Sequence, residues 1–139
     1  MLRTYDLLDN VLSDIEKGLR KGINADILCE KYDVSYRHLQ RLFKNSFKQS
    51  LSAYIRSRRL VESINDLLDT DSKILDIALD YGFCYEQTYI KAFKSEFGMT
   101  PGEFRRTDSN DKAKMLLNLF DGNKIASALF IVYFFEGIL

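Results

Sequence analysis

The feature that most constrains this chain is that it repeats itself. A shift of fifty positions lays Asp26-Ile27 on Asp76-Ile77, Phe43-Lys44 on Phe93-Lys94 and Phe47 on Phe97. The same shift lays Ser50 on Thr100, Tyr54 on Phe104 and Arg56 on Arg106. The turn residues are offset by one position, Asp33 in the first copy and Gly82 in the second. A solenoid needs at least three repeats, so two copies point to a paired architecture: helix, tight turn, helix, then a capped third helix, twice over.

Hydrophobic spacing supports helices throughout this region. Leu8, Leu12, Ile15 and Leu19 recur at helical intervals over about 4–19, ahead of Gly22. Asn24 is a fair N-cap for a short helix carrying Ile27 and Leu28, Asp33 suits a left-handed turn, and Ser35 caps a helix to about Phe47. Ser50 can cap a longer helix, about 51–68, with Tyr54, Ile55, Leu60, Val61, Ile64, Leu67 and Leu68 on its buried side. Asp71 or Ser72 is expected to start the next, carrying Ile74, Ile77, Ala78 and Tyr81. A helix from about Tyr85 to Phe97 follows, and Thr100-Pro101-Gly102-Glu103 forms a capping box with proline at the first helical position. The expected fold is all-α and homeodomain-like, about seven helices. It comprises two helix-turn-helix subdomains, about 24–47 and 74–97, joined by a linker helix, with a hydrophobic C-terminal tail.

The formal net charge is zero, which taken alone argues against a nucleic-acid partner. Its distribution argues the other way. Between Asp33 and Glu62 there is no acidic residue, while Arg37, Arg41, Lys44, Lys48, Arg56, Arg58 and Arg59 all fall there. Cys29 and Cys84 lack metal-site spacing, His38 is the one histidine, and no nucleophile–base pair or phosphate-cradling loop is visible. An enzyme, a metal centre and a cofactor are therefore not expected. No signal peptide is evident, and the longest apolar run, 125–135, falls short of the about 20 residues a spanning helix needs. A cytoplasmic, nucleoid-associated protein is the expectation.

At about 100° per residue, Tyr36, Arg37, Gln40, Arg41 and Lys44 share one face of the second helix in the first copy. Leu39, Leu42, Phe43 and Ser46 take the other. In the second copy Glu86, Gln87, Ile90, Lys91 and Lys94 oppose Tyr89, Ala92 and Phe93. A polar helix face is usually only solvated surface. Here it is rich in arginine and glutamine, follows a tight turn, and occurs twice. Such a face fits the DNA major groove, where arginine pairs with guanine, glutamine with adenine, and glutamate accepts from cytosine. Ile90 suits a thymine methyl. The base-reading candidates are Tyr36, Arg37, Gln40, Arg41, Glu86, Gln87, Ile90 and Lys91. The phosphate candidates are Lys44, Arg56, Arg58, Arg59 and Lys94, which add affinity without sequence information. A linker helix of about 18–20 residues measures roughly 27–30 Å, against about 34–36 Å for one turn of B-DNA, so one chain is expected to read two half-sites.

The run Ser35-Tyr-Arg-His-Leu-Gln-Arg-Leu-Phe-Lys44 and the run Ser50-Leu-Ser-Ala-Tyr-Ile-Arg-Ser-Arg-Arg-Leu60 resemble the first half of the AraC/XylS family DNA-binding domain. Ile77-Ala78, Tyr81-Gly82-Phe83, Gln87, Phe93-Lys94 and Gly98-Met-Thr-Pro-Gly-Glu-Phe-Arg105 resemble its C-terminal signature. The likeness covers about residues 5–106 and implies a bacterial, sequence-specific transcription regulator. It implies that the second helix of each unit enters double-stranded DNA, and that RNA polymerase is contacted in activation. Two departures stand out. Lys48 sits where the family usually has glycine, which puts the form of that turn in question. Glu86 adds an acid to the second reading face, implying a weakened or retuned half-site. A DNA-binding domain starting almost at Met1 is similar to the small regulators of the MarA, SoxS and Rob type, the last of which add a ligand domain afterwards.

From about 107 the character changes. A polar linker leads to an apolar patch at 115–120, a turn signal at 121–123, and a segment that is apolar on all sides, helix and strand being equally compatible. The tail, 107–139, is read as a packing or homodimerisation segment acting through 115–139, or as the start of an effector domain. The rival to DNA reading is a protein-interaction module of the same fold with weakened DNA binding, favoured by Glu86 and the zero net charge.

Overall fold

The structure, a computed structural model, describes residues 3–107. Among the described residues the regular elements are all helices: α1 (Thr4–Gly18), α2 (Ala25–Tyr32), α3 (Tyr36–Phe47), α4 (Leu51–Asp69), α5 (Ile74–Asp80), α6 (Glu86–Phe97) and α7 (Pro101–Arg106). The all-α, seven-helix expectation is met. The tail expected to pack or dimerise through 115–139 lies outside the described residues. The chain divides into two compact units between Arg56 and Ser57, a boundary that falls within α4.

In unit 1, α1 buries Leu7, Leu8, Val11 and Ile15, and α2 and α3 bury Leu28, Leu39 and Phe43. Fully burying such a side chain contributes roughly 1.5–3 kcal/mol. Phe43 packs against Phe47 and Tyr54, with ring centroids 4.7 and 5.2 Å away. Gly18 is buried where the chain turns back: a Cβ there would lie 2.7 Å from Ile23 Cβ, closer than carbon atoms pack. Its carbonyl accepts from Lys21 and Ile23 N–H. Between α1 and α2, the Asp14 carboxylate accepts from Lys31 Nζ at 2.9 Å and from the Tyr32 hydroxyl. Burial pushes that carboxyl up, but these two donors and the nearby lysine charges outweigh it and leave it below its ordinary range.

In unit 2 the core gathers Leu60, Val61, Ile64, Leu67, Ile77, Ala78, Tyr81, Tyr89, Phe93, Phe97 and Phe104. Phe93 contacts Tyr89, Phe97 and Phe104, at 5.8, 4.5 and 6.0 Å between centroids. The buried Tyr89 hydroxyl donates to Ser63 Oγ at 2.8 Å, and Ser63 donates onward to Leu60 O at 2.6 Å. Burial pushes that phenol up to about 12. From α7 the Arg105 guanidinium donates to the carbonyls of Leu67, Thr70 and Ser72, at 3.3, 3.2 and 2.6 Å.

Some boundaries and faces differ from the sequence reading. α5 begins at Ile74, with Lys73 at its N-cap and no capping side chain, instead of starting at Asp71 or Ser72. The connecting segment is held outside the helix, with the Thr70 and Ser72 carbonyls accepting from Arg105 and Ser72 N donating to Thr70 Oγ1. Leu68, expected on the buried side of α4, is 41% exposed. Ser46 also faces solvent although it was assigned to the docking side of α3.

Candidate nucleic-acid interface

The exposed helices of interest are α3 in unit 1 and α6 in unit 2, each twelve residues long. In unit 1, Asn24 Oδ1 caps α2 by accepting from Ile27 N at 2.9 Å. Asp33 then takes the left-handed conformation (φ 51°, ψ 50°), and Ser35 Oγ accepts from His38 N at 3.1 Å to start α3. An N-cap of this kind satisfies an amide that the helix itself leaves unpaired. In unit 2 the left-handed residue is Gly82 (φ 82°), and Phe83 N donates to Ala78 O at 2.9 Å. Tyr85 occupies the N-cap of α6 with no capping side-chain bond. Glu86, at the first helical position, places negative charge where the helix dipole favours it. Its presence thus has a structural reason beside any reading role.

Both helices end alike. Lys48 (φ 60°, ψ 21°) and Gly98 (φ 81°, ψ −3°) are each left-handed, and their N–H groups donate to Lys44 O and Lys94 O, both at 2.8 Å. The lysine therefore changes the residue while keeping the turn. It carries the strain that glycine avoids, about 1 kcal/mol.

On α3, Tyr36, Arg37, Arg41 and Lys44 are exposed, and Gln40 is half-buried. On α6, Gln87, Lys91 and Lys94 are exposed, while Glu86 and Ile90 are half-buried. Each face therefore gathers the side chains that helical periodicity assigned to it. Arg41 Nη2 lies 3.3 Å from His38 Nδ1. Gln40 differs from the rest in having both ends of its amide engaged. Its Nε2 donates to the Tyr36 hydroxyl at 2.7 Å, and its Oε1 accepts from Leu51 N at 3.2 Å, capping α4. Leu51 is fully buried, so leaving its amide unpaired costs about 1–3 kcal/mol.

The proposed phosphate cations divide in the same way. Lys44, Arg56 and Lys94 are exposed. Arg58 is a correction: only 1% exposed, it donates to Glu62 at 3.4 Å and cannot reach a phosphate from that position. It falls on the apolar side of α4, between Tyr54 and Leu60, and a list of basic residues does not register that. Arg59 is partly buried with its guanidinium beside Gly82, and burial pulls its pKa down. Arg106 was not among the candidates. It is exposed at the position the repeat pairs with Arg56, and that pairing was the available signal. Among the described residues no His/Cys/Asp/Glu group is arranged to hold a metal ion, and no helix is long and apolar enough to cross a membrane.

A helix-turn-helix domain family matches residues 28–107. The probable transcription factor PqrA of Proteus vulgaris is 41% identical over 105 residues, covering 71% of this chain and 86% of that protein. The multiple antibiotic resistance protein MarA of Salmonella typhimurium is 34% identical over 116 residues, covering 84% of this chain and 91% of that one. Among solved structures, a transcriptional regulator with an AraC-type DNA-binding domain from Chromobacterium violaceum superposes with a TM-score of 0.69 at 26% identity. The match covers 76% of this chain and 97% of that one.

Proposed function

This chain belongs to the AraC/XylS family of DNA-binding transcription regulators, with MarA-like relatives, and on that premise we propose that it reads two half-sites of one operator. Residues of about 5–106 form the DNA-binding domain in this reading. The α3 and α6 helices enter successive major-groove segments, in the cytoplasm, and a bound chain activates transcription by contacting RNA polymerase. Tyr36, Arg37 and Arg41 on α3, with Gln87, Ile90 and Lys91 on α6, read bases directly, and Glu86 tunes the second site. Lys44, Arg56, Arg59, Lys94 and Arg106 meet phosphates. One observation carries the reading: two exposed polar helix faces occur at equivalent positions of a repeat, each between two left-handed turns.

The test is selection of bound duplexes from a random pool, followed by anisotropy titration across salt. Two enriched blocks about one helical turn apart are expected, one blurred by Arg37→Ala and the other by Gln87→Ala. Lys94→Ala should weaken all sequences alike and lower the salt slope by about one. Arg58→Ala should leave that slope unchanged. Equal affinity for every duplex would overturn the proposal in favour of a protein-interaction module of the same fold.

A further inference from the structure

The engagement of Gln40 fixes the direction of a hydrogen-bond chain that ends at the reading face. The Leu51 amide can only donate, so the atom 3.2 Å from it must be the Gln40 oxygen. The amide nitrogen therefore points at Tyr36, and it too can only donate, so the Tyr36 oxygen accepts at 2.7 Å. That leaves the hydroxyl proton of Tyr36 for a partner outside the protein, and Tyr36 is 53% exposed. We infer that Tyr36 is a specificity-determining residue that acts as a donor, and that Gln40 is the positioning residue that makes it one. The inference rests on the DNA-reading proposal for α3.

In base terms, a donor selects the acceptors of the major groove: guanine N7 and O6, adenine N7 and thymine O4. It disfavours the amino groups of cytosine and adenine, which are donors themselves. Direct pairing of Gln40 with adenine, the ordinary expectation for a glutamine on such a helix, would require its oxygen to leave the α4 cap. The sequence assigned Tyr36 and Gln40 to one face as two independent readers. The structure joins them into one, its polarity set by a backbone amide.

The substitution Gln40→Glu tests this. A carboxylate still accepts from Leu51 N but has no proton for Tyr36, so the tyrosine turns its own proton inward and presents only an acceptor to DNA. Base selection should be measured for the wild-type chain, Tyr36→Phe, Gln40→Glu and the double variant. At one base pair, Tyr36→Phe should reduce discrimination about fivefold, the scale of one hydrogen bond. Gln40→Glu should shift preference at that pair towards a base presenting an amino group, and the shift should vanish in the double variant. A shift of equal size in the Tyr36→Phe background would mean that Gln40 reads the base itself and would overturn the inference. An unchanged preference in Tyr36→Phe would overturn it as well, whereas failure of the wild-type chain to enrich any sequence overturns the DNA-reading proposal beneath it. In the free protein, Gln40→Ala should speed hydrogen exchange at the Leu51 amide about tenfold or more. An unchanged rate would show that the cap is not formed, and would remove the fixed polarity.

Discussion

Unit 1 enters its exposed helix through Asp33 and the Ser35 cap, whereas unit 2 enters through Gly82 with no side-chain cap on α6. The far end repeats that pattern, because the left-handed position is again a non-glycine residue, Lys48, in unit 1 and a glycine, Gly98, in unit 2. The aromatic clusters beneath correspond, Phe43, Phe47 and Tyr54 against Phe93, Phe97 and Phe104. What the repeat preserves is the backbone path and the ring positions. The residues that hold each turn differ, and so do the faces: unit 1 offers Arg37, Arg41 and Lys44, unit 2 offers Lys91 and Lys94 beside Glu86. Exposed cationic charge is therefore greater on α3 than on α6.

The largest expected effects test whether the two aromatic clusters are energetically equivalent. Phe43→Ala and Phe93→Ala should each cost about 3–5 kcal/mol, measured by chemical denaturation. Phe93 should cost more, since it meets three other rings and Phe43 two. Equal losses would break that ranking. Next comes Gly18→Ala, which has no counterpart in the repeat. It forces a methyl against Ile23 and should destabilise by about 1–3 kcal/mol; a neutral result would mean that the turn yields easily.

The capping difference gives opposite signs in the two units. Ser35→Ala should lose about 1 kcal/mol. Tyr85→Ser, which supplies α6 with the missing acceptor, should gain a comparable amount in thermal melts. The exits invert that order: Lys48→Gly should stabilise by about 0.5–1 kcal/mol and Gly98→Ala should destabilise by about as much.

The smallest effect is a pH dependence confined to unit 1. The Asp14 carboxyl is lowered in the folded chain, so the unfolded state binds its proton more tightly. Its stabilisation is present above the ordinary aspartate range, near pH 4, and is lost as pH falls through the depressed folded value. Acid titration of Asp14→Asn should lack that part of the decline.

Much of this was legible in the chain itself. The repeat, the helical spacing and the capping residues Asn24, Ser35 and Thr100 locate helices because they report local backbone preference and one-sided burial. Helical periodicity likewise gathered the exposed faces of α3 and α6. Legibility ended where distant partners decide. Arg58 counts as a surface cation in any reading of charge, yet its position on α4 turns it inward. The segment ahead of α5 is held by Arg105, more than thirty residues away. The engagement of Gln40 depends on the first amide of a different helix. Lys48 shows the converse, since a residue unlike glycine still adopts the turn when the neighbouring helices demand it.

The clasp made by Arg105 also has a consequence in time. Many hydrogen bonds among the described residues of unit 2 lie within one helical turn, and contacts of that kind form early in folding. Arg105 instead ties α7 to carbonyls 33, 35 and 38 residues back along the chain. A bond closing so long a loop forms after the helices have docked. Removing it should leave the folding rate almost untouched and accelerate unfolding. Arg105 thereby governs how long a folded unit 2 survives, and has little influence on how quickly it is made.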